Sequence, residues 1–320
     1  MKIVWPLSKI TDFKSTRDGY GQGLVKAGEK NQEVVVLTAD LADSTRCTAF
    51  KERFPERFFE CGVAEQNMMG IAAGLALSGK IPFLSSFAVF SPGRNWEQLR
   101  ISVCYSQANV KIASSHGGIT VGADGASHQA LEDLALARVL PNLTVVVPCD
   151  SREAQKATVV AASYSGPVYL RFSREKTPVI TPKEFPFKIG KAQIFLQGKE
   201  ITLIACGPMI YQALEVAEFL KQKEKIEVEV INCPTIKPLD ETVILTSAKK
   251  TGKVVTIEDH QVVGGLGGAI AELLIEELPT PMLKIGMPDV FGESGSSQEL
   301  LVKHNLDSQG IAKRIKDRFF

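Results

Sequence analysis

Short β-branched runs alternate with helical spacing along the first half of the chain. EVVVLTAD (33–40), KIPFLSSF (80–87), NVKIASS (109–115), LTVVVPCD (143–150) and PVYLRFS (167–173) read as buried strands. Helical patterns fall between them, at 17–30, 64–78, 94–107, 128–139 and 151–163. Runs that are apolar throughout, separated by helices, predict a largely parallel sheet covered on both faces. KTPVITPKEFPF (176–187) carries three prolines and no periodicity, which suits a linker. Strands then recur at EITLIACG (200–207), IEVEVINC (226–233), KVVTIED (253–259) and PMLKIGMP (281–288). Helices at about 208–222, 239–251, 266–278 and 296–318 separate them. The predicted fold class is α/β, as two three-layer domains with mostly parallel sheets. The expected units are 1–178 and 191–320, joined by a linker at 179–190.

One helix breaks the amphipathic rule. In FECGVAEQNMMGIAAGLA (59–76) the second half has no polar face, so it belongs in a core or an interface. Gly70, Ala73, Gly74 and Leu77 give it a flat side for close packing. Yet Glu65 opens it, and a carboxylate is expensive to bury uncompensated. A first-turn glutamate that complements the helix dipole and stays exposed is the plainer alternative. The residues alone weigh the two equally.

Length and composition narrow the class. A chain of 320 residues fits two domains. A net charge of +1 gives no bulk electrostatic case for nucleic acid or an anionic membrane. The one basic run, KRIKDRFF (313–320), reads as a solvated helix end. Six cysteines lack CxxC spacing and read as free thiols of a reducing compartment, with no zinc site expected. MKIVWPLSKITDF is too short and too interrupted, by Pro6, for a signal peptide, and no run approaches a membrane span. A cytoplasmic protein is expected.

In parallel sheets, chemistry gathers beyond the carboxyl ends of the strands. TADLADST, SSFAVFSPGRNW, SSHGGITVGADGASHQ and RFSREKTP all fall there. HGGITVGADGASHQALEDL (116–134) is the strongest of them. It holds two of the four histidines, with Asp124 between, and glycines at 117, 118, 122 and 125 that imply an irregular, closely approached backbone. His128 is expected to open the helix 128–139, with Ser127 as N-cap. Histidines in a glycine loop often only cap or bond locally. Two of them flanking an aspartate at a strand end favour function. A metal is disfavoured, because no third and fourth ligands cluster nearby. GGLGGAIAELL (264–274) imitates a dinucleotide fingerprint, but the third glycine would fall at 270, which is Ile. Phe87, Phe90 and Trp96 lie in and after a strand-end loop, a weak signal by itself.

Taken together and in order, GVAEQN, SSFAVF, SHGGITVGADGASHQ and RFSRE resemble the transketolase family of thiamine-diphosphate enzymes, from about residue 15 to the C-terminus. The resemblance implies a pyrimidine-binding domain followed by a transketolase C-terminal domain. It implies that Glu65 contacts N1′ of the cofactor's aminopyrimidine, with Phe87, Phe90 and Trp96 holding that ring. Under it, His116, Asp124 and His128 line the substrate channel and Arg174 receives the sugar phosphate. Glu65, His116 and His128 would be the catalytic groups. Glu65 would have to share a proton with the ring, which an apolar buried setting promotes. The family's diphosphate- and Mg²⁺-binding half carries a GDG motif that is absent here. A separate subunit supplying it is implied, in an α2β2 assembly with self-association, acting on sugar phosphates.

Two relatives share the architecture. The 1-deoxyxylulose-5-phosphate synthases have an acidic residue where this chain has His116 and an arginine where it has Gly117. The β subunits of 2-oxoacid dehydrogenases lack the ADGxxHQ pattern. Transketolase ranks first, the synthase second, the dehydrogenase third. A non-catalytic homologue would have no reason to retain Glu65, His116, Asp124, His128 and Arg174 together.

Overall fold

Strands form at each expected apolar run, because a strand apolar on both sides needs cover on both faces. A computed structural model describes residues 3–320. In chain order the first unit contains β1 (Phe13–Lys14), α1 (Thr16–Lys30), β2 (Val34–Thr38), α2 (Thr48–Arg53), β3 (Phe58–Glu60) and α3 (Glu65–Leu77). Next come β4 (Ile81–Phe87), α4 (Trp96–Gln98), β5 (Lys111–Ser115), α5 (Asp133–Arg138) and β6 (Thr144–Val146). It closes with α6 (Ser151–Ser163), β7 (Val168–Arg171) and β8 (Thr177–Pro178). The second unit contains β9 (Gln193–Leu196), β10 (Ile201–Ala205), α7 (Met209–Lys223), β11 (Val228–Asn232), β12 (Thr235–Lys237) and α8 (Glu241–Thr251). It ends with β13 (Val254–Gln261), α9 (Leu266–Glu277), β14 (Met282–Met287), α10 (Ser297–Lys303) and α11 (Ser308–Phe319).

The first sheet has the order β12-β6-β7-β5-β4-β2-β3, and the second β14-β13-β10-β11-β9. All pairings in them are parallel except β12 with β6 and β9 with β11, both at an edge. Alternate residues of β2 serve opposite layers. Val34 and Val36 pack with Tyr20, Leu24 and Ala157 of α1 and α6, while Val35 and Leu37 pack with Met68, Met69 and Ala72 of α3. Two helical layers therefore sandwich the sheet, and its carboxyl edge is left to the loops.

Three departures from the sequence reading matter for the site. First, β12 lies at 235–237 yet completes the first sheet, so the expected units 1–178 and 191–320 share a sheet as well as a linker. Second, the linker is pinned. The buried Asp150 carboxylate accepts Ile180 N at 2.9 Å, Thr181 N at 2.7 Å and Thr181 Oγ1 at 2.8 Å. Third, the helix expected over 128–139 is only Asp133–Arg138, and Ser127 does not cap it. Ser127 Oγ pairs with His128 Nδ1 at 2.9 Å, and Gln129 is buried, donating to Ile119 O, Gly122 O and Glu293 O. Those tertiary bonds hold 128–132 in turns. The helix expected over 296–318 likewise divides into α10 and α11, at Asn305 with φ of 54° and Asp307 as a new N-cap.

Candidate active site

The polar cluster sits where β2, β4, β5 and β7 end. Glu65 is the first residue of α3 and is buried, at 3% exposure. Its carboxylate does not lie in the apolar setting that the resemblance led one to expect. Arg94 Nη1 donates to both oxygens at 3.1 Å. Asn95 Nδ2 adds a bond to the Glu65 carbonyl at 3.3 Å. The Arg94 guanidinium lies over the Phe90 ring, 4.1 Å from its centre, and is half exposed. The outer side of Glu65 faces an open cleft of about 500 Å³ lined by Val63, Ala64, Gln66, Asn67 and Arg94.

From Phe90 the aromatic contacts run inward. Phe87 stacks on Phe90 at 5.8 Å and 19°, and on the His116 imidazole at 3.7 Å and 29°. The His128 ring makes edge-type contacts with both phenylalanines, at 6.1 and 5.5 Å. Asp124 pairs with Arg174 at 3.1 Å, and the same Arg174 Nη1 donates to Val121 O at 2.8 Å. The structure thus brings together Glu65, Phe87, Phe90, His116, His128, Asp124 and Arg174. Trp96 is the exception. Its indole N–H donates to Leu136 O at 2.9 Å and its ring packs on the core, because a half-buried indole seeks a carbonyl.

His116 is buried, has φ of 60°, and pairs its Nδ1 with Ser115 Oγ at 2.8 Å. Burial first, then the positive charges of Arg17, Arg174 and Arg46, push its pKa down to about 3. It is a neutral imidazole at ordinary pH, a hydrogen-bonding group rather than a cation. A stability prediction follows. The unfolded chain takes up a proton near pH 6.5 that the folded chain refuses until about pH 3, so stability is lost as pH falls through that window. His116→Asn, a residue tolerant of positive φ, should flatten that loss in urea midpoints measured downward from neutrality. An unchanged acid slope would show that His116 is not the group responsible.

Besides Arg94, two arginines escaped the sequence reading, Arg17 and Arg46. Arg17, in the first turn of α1, donates Nη1 to Ser44 O at 2.8 Å, while its buried Nε has no partner among the described residues. Its pKa is lowered by burial first and then by the charges of Arg46 and Arg174, which marks a cationic patch beside His116. Arg46 is partly neutralised by Asp18 at 2.8 Å. Single arginines in helices and turns read as solvated, and only the tertiary fold shows Arg17 and Arg46 converging with Arg174. Among the described residues, no group of three or more His, Cys, Asp or Glu could hold a metal.

The exposed side of α3 carries Asn67, Gly70, Ile71, Gly74 and Leu77, with Leu77 at 69% exposure. An apolar helix side left bare next to a buried carboxylate is an unfinished surface.

Comparison with known proteins agrees with this architecture. Residues 13–179 match the family model described as transketolase, pyrimidine binding domain, and residues 190–311 match transketolase, C-terminal domain. Fold and matches together define a pyrimidine-binding α/β unit followed by a second α/β unit of the transketolase type. The chain belongs to the transketolase family and corresponds to its carboxyl-terminal half. A relative from Methanocaldococcus jannaschii, described as a transketolase C-terminal section, is 47% identical over 95% of this chain and 96% of its own length. The 6-deoxy-6-sulfo-D-fructose transketolase subunit SqwH of Clostridium sp. is 40% identical, over 93% of this chain and 92% of the relative. A split-gene transketolase solved as an inactive β4 tetramer superposes with a TM-score of 0.89 and 46% identity, covering 95% of this chain and 98% of the other.

Proposed function

We propose that this chain is the pyrimidine-side subunit of a split transketolase. It would transfer a two-carbon ketol unit from a ketose phosphate to an aldose phosphate, together with a separate chain that binds Mg²⁺ and the diphosphate of thiamine diphosphate. The observation that carries the reading is the run Glu65–Arg94–Phe90–Phe87–His116 at one sheet edge, with Asp124, His128 and Arg174 beside it. A carboxyl group beside stacked aromatic rings suits an aminopyrimidine, which needs apolar contact on its faces and a hydrogen-bond partner at a ring nitrogen. When bound, thiamine diphosphate supplies an electron sink for cleavage of a carbon–carbon bond next to a carbonyl.

The chain's own residues divide the remaining work. Glu65 would hold a proton against the ring nitrogen, with one oxygen turned from Arg94 toward the cleft. Phe87 and Phe90 would fix the ring plane. His116, as a neutral imidazole, and His128 would bond the carbonyl and hydroxyl oxygens of the sugar, and Asp124 would read a hydroxyl. Arg174 and the unpartnered Nε of Arg17 would form a charge-assisted fork for the phosphate, or for a sulfonate in its place. The bare side of α3 would meet a partner subunit in an α2β2 assembly, and the β4 state named for the split-gene relative supports self-association. We also propose the division into 1–178 and 191–320 for the two domains. A cytoplasmic setting suits six free cysteines.

The test is reconstitution. The chain is purified alone and with the diphosphate-binding subunit, with thiamine diphosphate and Mg²⁺. Xylulose 5-phosphate with ribose 5-phosphate is one assay, 6-deoxy-6-sulfo-D-fructose as donor a second, and pyruvate with glyceraldehyde 3-phosphate a third. Ketol transfer by the pair and not by the chain alone supports the reading. Turnover of pyruvate alone favours the synthase, and no turnover in any pairing overturns an enzymatic role. Within the active pair, Arg174→Ala should raise KM for the phosphorylated donor by about tenfold or more while kcat changes less. An unchanged KM would remove Arg174 from the phosphate site.

A further inference from the structure

We infer that the carboxyl-terminal unit serves the reaction by holding the loop that carries His116, Asp124 and His128, and that Asp259 is the positioning residue. This rests on the function proposed above, which gives that loop its substrate contacts. Asp259 lies near the end of β13, in the second unit, and is buried. Its carboxylate reaches across to the first unit. It accepts Ile119 N at 2.9 Å, Thr120 Oγ1 at 2.6 Å and Thr120 N at 3.3 Å. Two successive backbone N–H groups and a hydroxyl closing on one carboxylate form an anion nest whose anion is built into the protein.

The backbone around it is shaped for that carboxylate. Gly118 has φ of 87°, and a Cβ there would occupy the space of the Asp259 carboxyl. His116, two residues earlier, is held with φ of 60°. Strained backbone persists only where its surroundings over-determine it. The main-chain oxygen of Asp259 also accepts Arg171 Nη2 at 2.9 Å, so one residue ties the loop and β7 together. Ser297 Oγ, donating to Thr120 O at 2.8 Å, and Gln129 Nε2, donating to Glu293 O at 2.8 Å, add second-unit contacts to the same loop. A cavity of about 420 Å³ lined by Thr120, Asp259 and Ser297 borders it, so the loop has room to sag if the carboxylate is lost.

Asp259 touches neither cofactor nor substrate in this scheme. Its effect reaches the reaction through His116 and Asp124. The experiment compares Asp259→Asn, Thr120→Val and Glu272→Gln in the full chain with its diphosphate-binding partner. Asparagine keeps the volume but turns an amide toward the donors of Thr120. Thr120→Val removes a single bond and covers the case in which Asp259→Asn fails to fold. Glu272 is the control, because its pair with Arg138 links the same two units away from the loop. Two quantities are read: amide hydrogen exchange of segment 116–125, and KM against kcat for the donor.

Asp259→Asn should speed exchange in that segment and raise donor KM by about tenfold, with a smaller fall in kcat. Thr120→Val should do the same by about threefold, from the loss of one bond of the three. Glu272→Gln should leave both unchanged. Wild-type exchange and KM in Asp259→Asn, or an equal rise in KM from Glu272→Gln, would overturn the assignment. If the wild-type pair shows no ketol transfer, the proposed function fails, and the exchange data still decide whether Asp259 holds the loop.

Discussion

Glu65→Gln should lower kcat of the assembled enzyme by about 10²–10⁴-fold, the range that a positioned proton-holding group contributes. The amide has the size of the carboxyl and can still accept from Arg94, but it cannot take or give the proton. Folding should survive the change. Arg94 is half exposed, so losing its carboxylate partner does not strand a charge in the interior. The expected change in stability is within about 1 kcal/mol, in line with other ion pairs whose cation reaches water. Steady-state kinetics of the reconstituted pair, beside urea midpoints of the variant, check both halves. Turnover like that of the wild type would refute the role of Glu65. A large loss of stability with it would mean that the Arg94 fork holds the fold and not the reaction.

Much of the fold was legible because buried parallel strands leave continuous apolar runs, and β2, β4 and β10 each read that way. The strands that were missed carry no such run. β3 and β9 are short and partly exposed at sheet edges, and β12 finds its partner only through the tertiary fold. The helix expected from His128 failed for a related reason. Residues 128–132 have helical spacing, but Gln129 spends its amide on three distant carbonyls. Of the candidate site, Glu65, Phe87, Phe90, His116, Asp124, His128 and Arg174 do gather, and Trp96 does not, because its N–H had a carbonyl within reach. Arg17, Arg46 and Arg94 were not legible, since their meaning lies in what faces them across the fold. Asp259 was the nearer miss. KVVTIEDHQ is a buried strand that ends in Glu258, Asp259 and His260, and three ionisable residues closing an apolar run are a signal of buried partners.

Asp133→Ala should destabilise the chain by about 3–5 kcal/mol, the scale for stranding one member of a buried ion pair. Asp133 takes Arg171 Nε at 2.8 Å, Arg171 Nη2 at 3.1 Å and Tyr169 OH at 2.8 Å. The two ionic side chains are 1% and 6% exposed. Burial opposes the charge on Arg171, yet the carboxylates of Asp133 and Asp259 hold its guanidinium above the ordinary value. A guanidinium is not deprotonated in proteins, so the charge stays when Asp133 goes. Among the described residues it keeps the carbonyls of Ala130 and Asp259 as acceptors. The guanidinium also packs under Gly117, where a Cβ would collide with it, so its displacement would be felt by His116 next door. The urea midpoint should fall sharply and loop exchange should rise with it. Pairing the change with Arg171→Met should recover much of the midpoint, because removing both charges is far milder than removing one. Failure of the double variant to recover would mean that Asp133 acts through Tyr169 or the start of α5 and not through the ion pair. That outcome would also loosen the link drawn from β7 through Arg171 to Asp259, since the loop would then depend on the second unit's carboxylate alone.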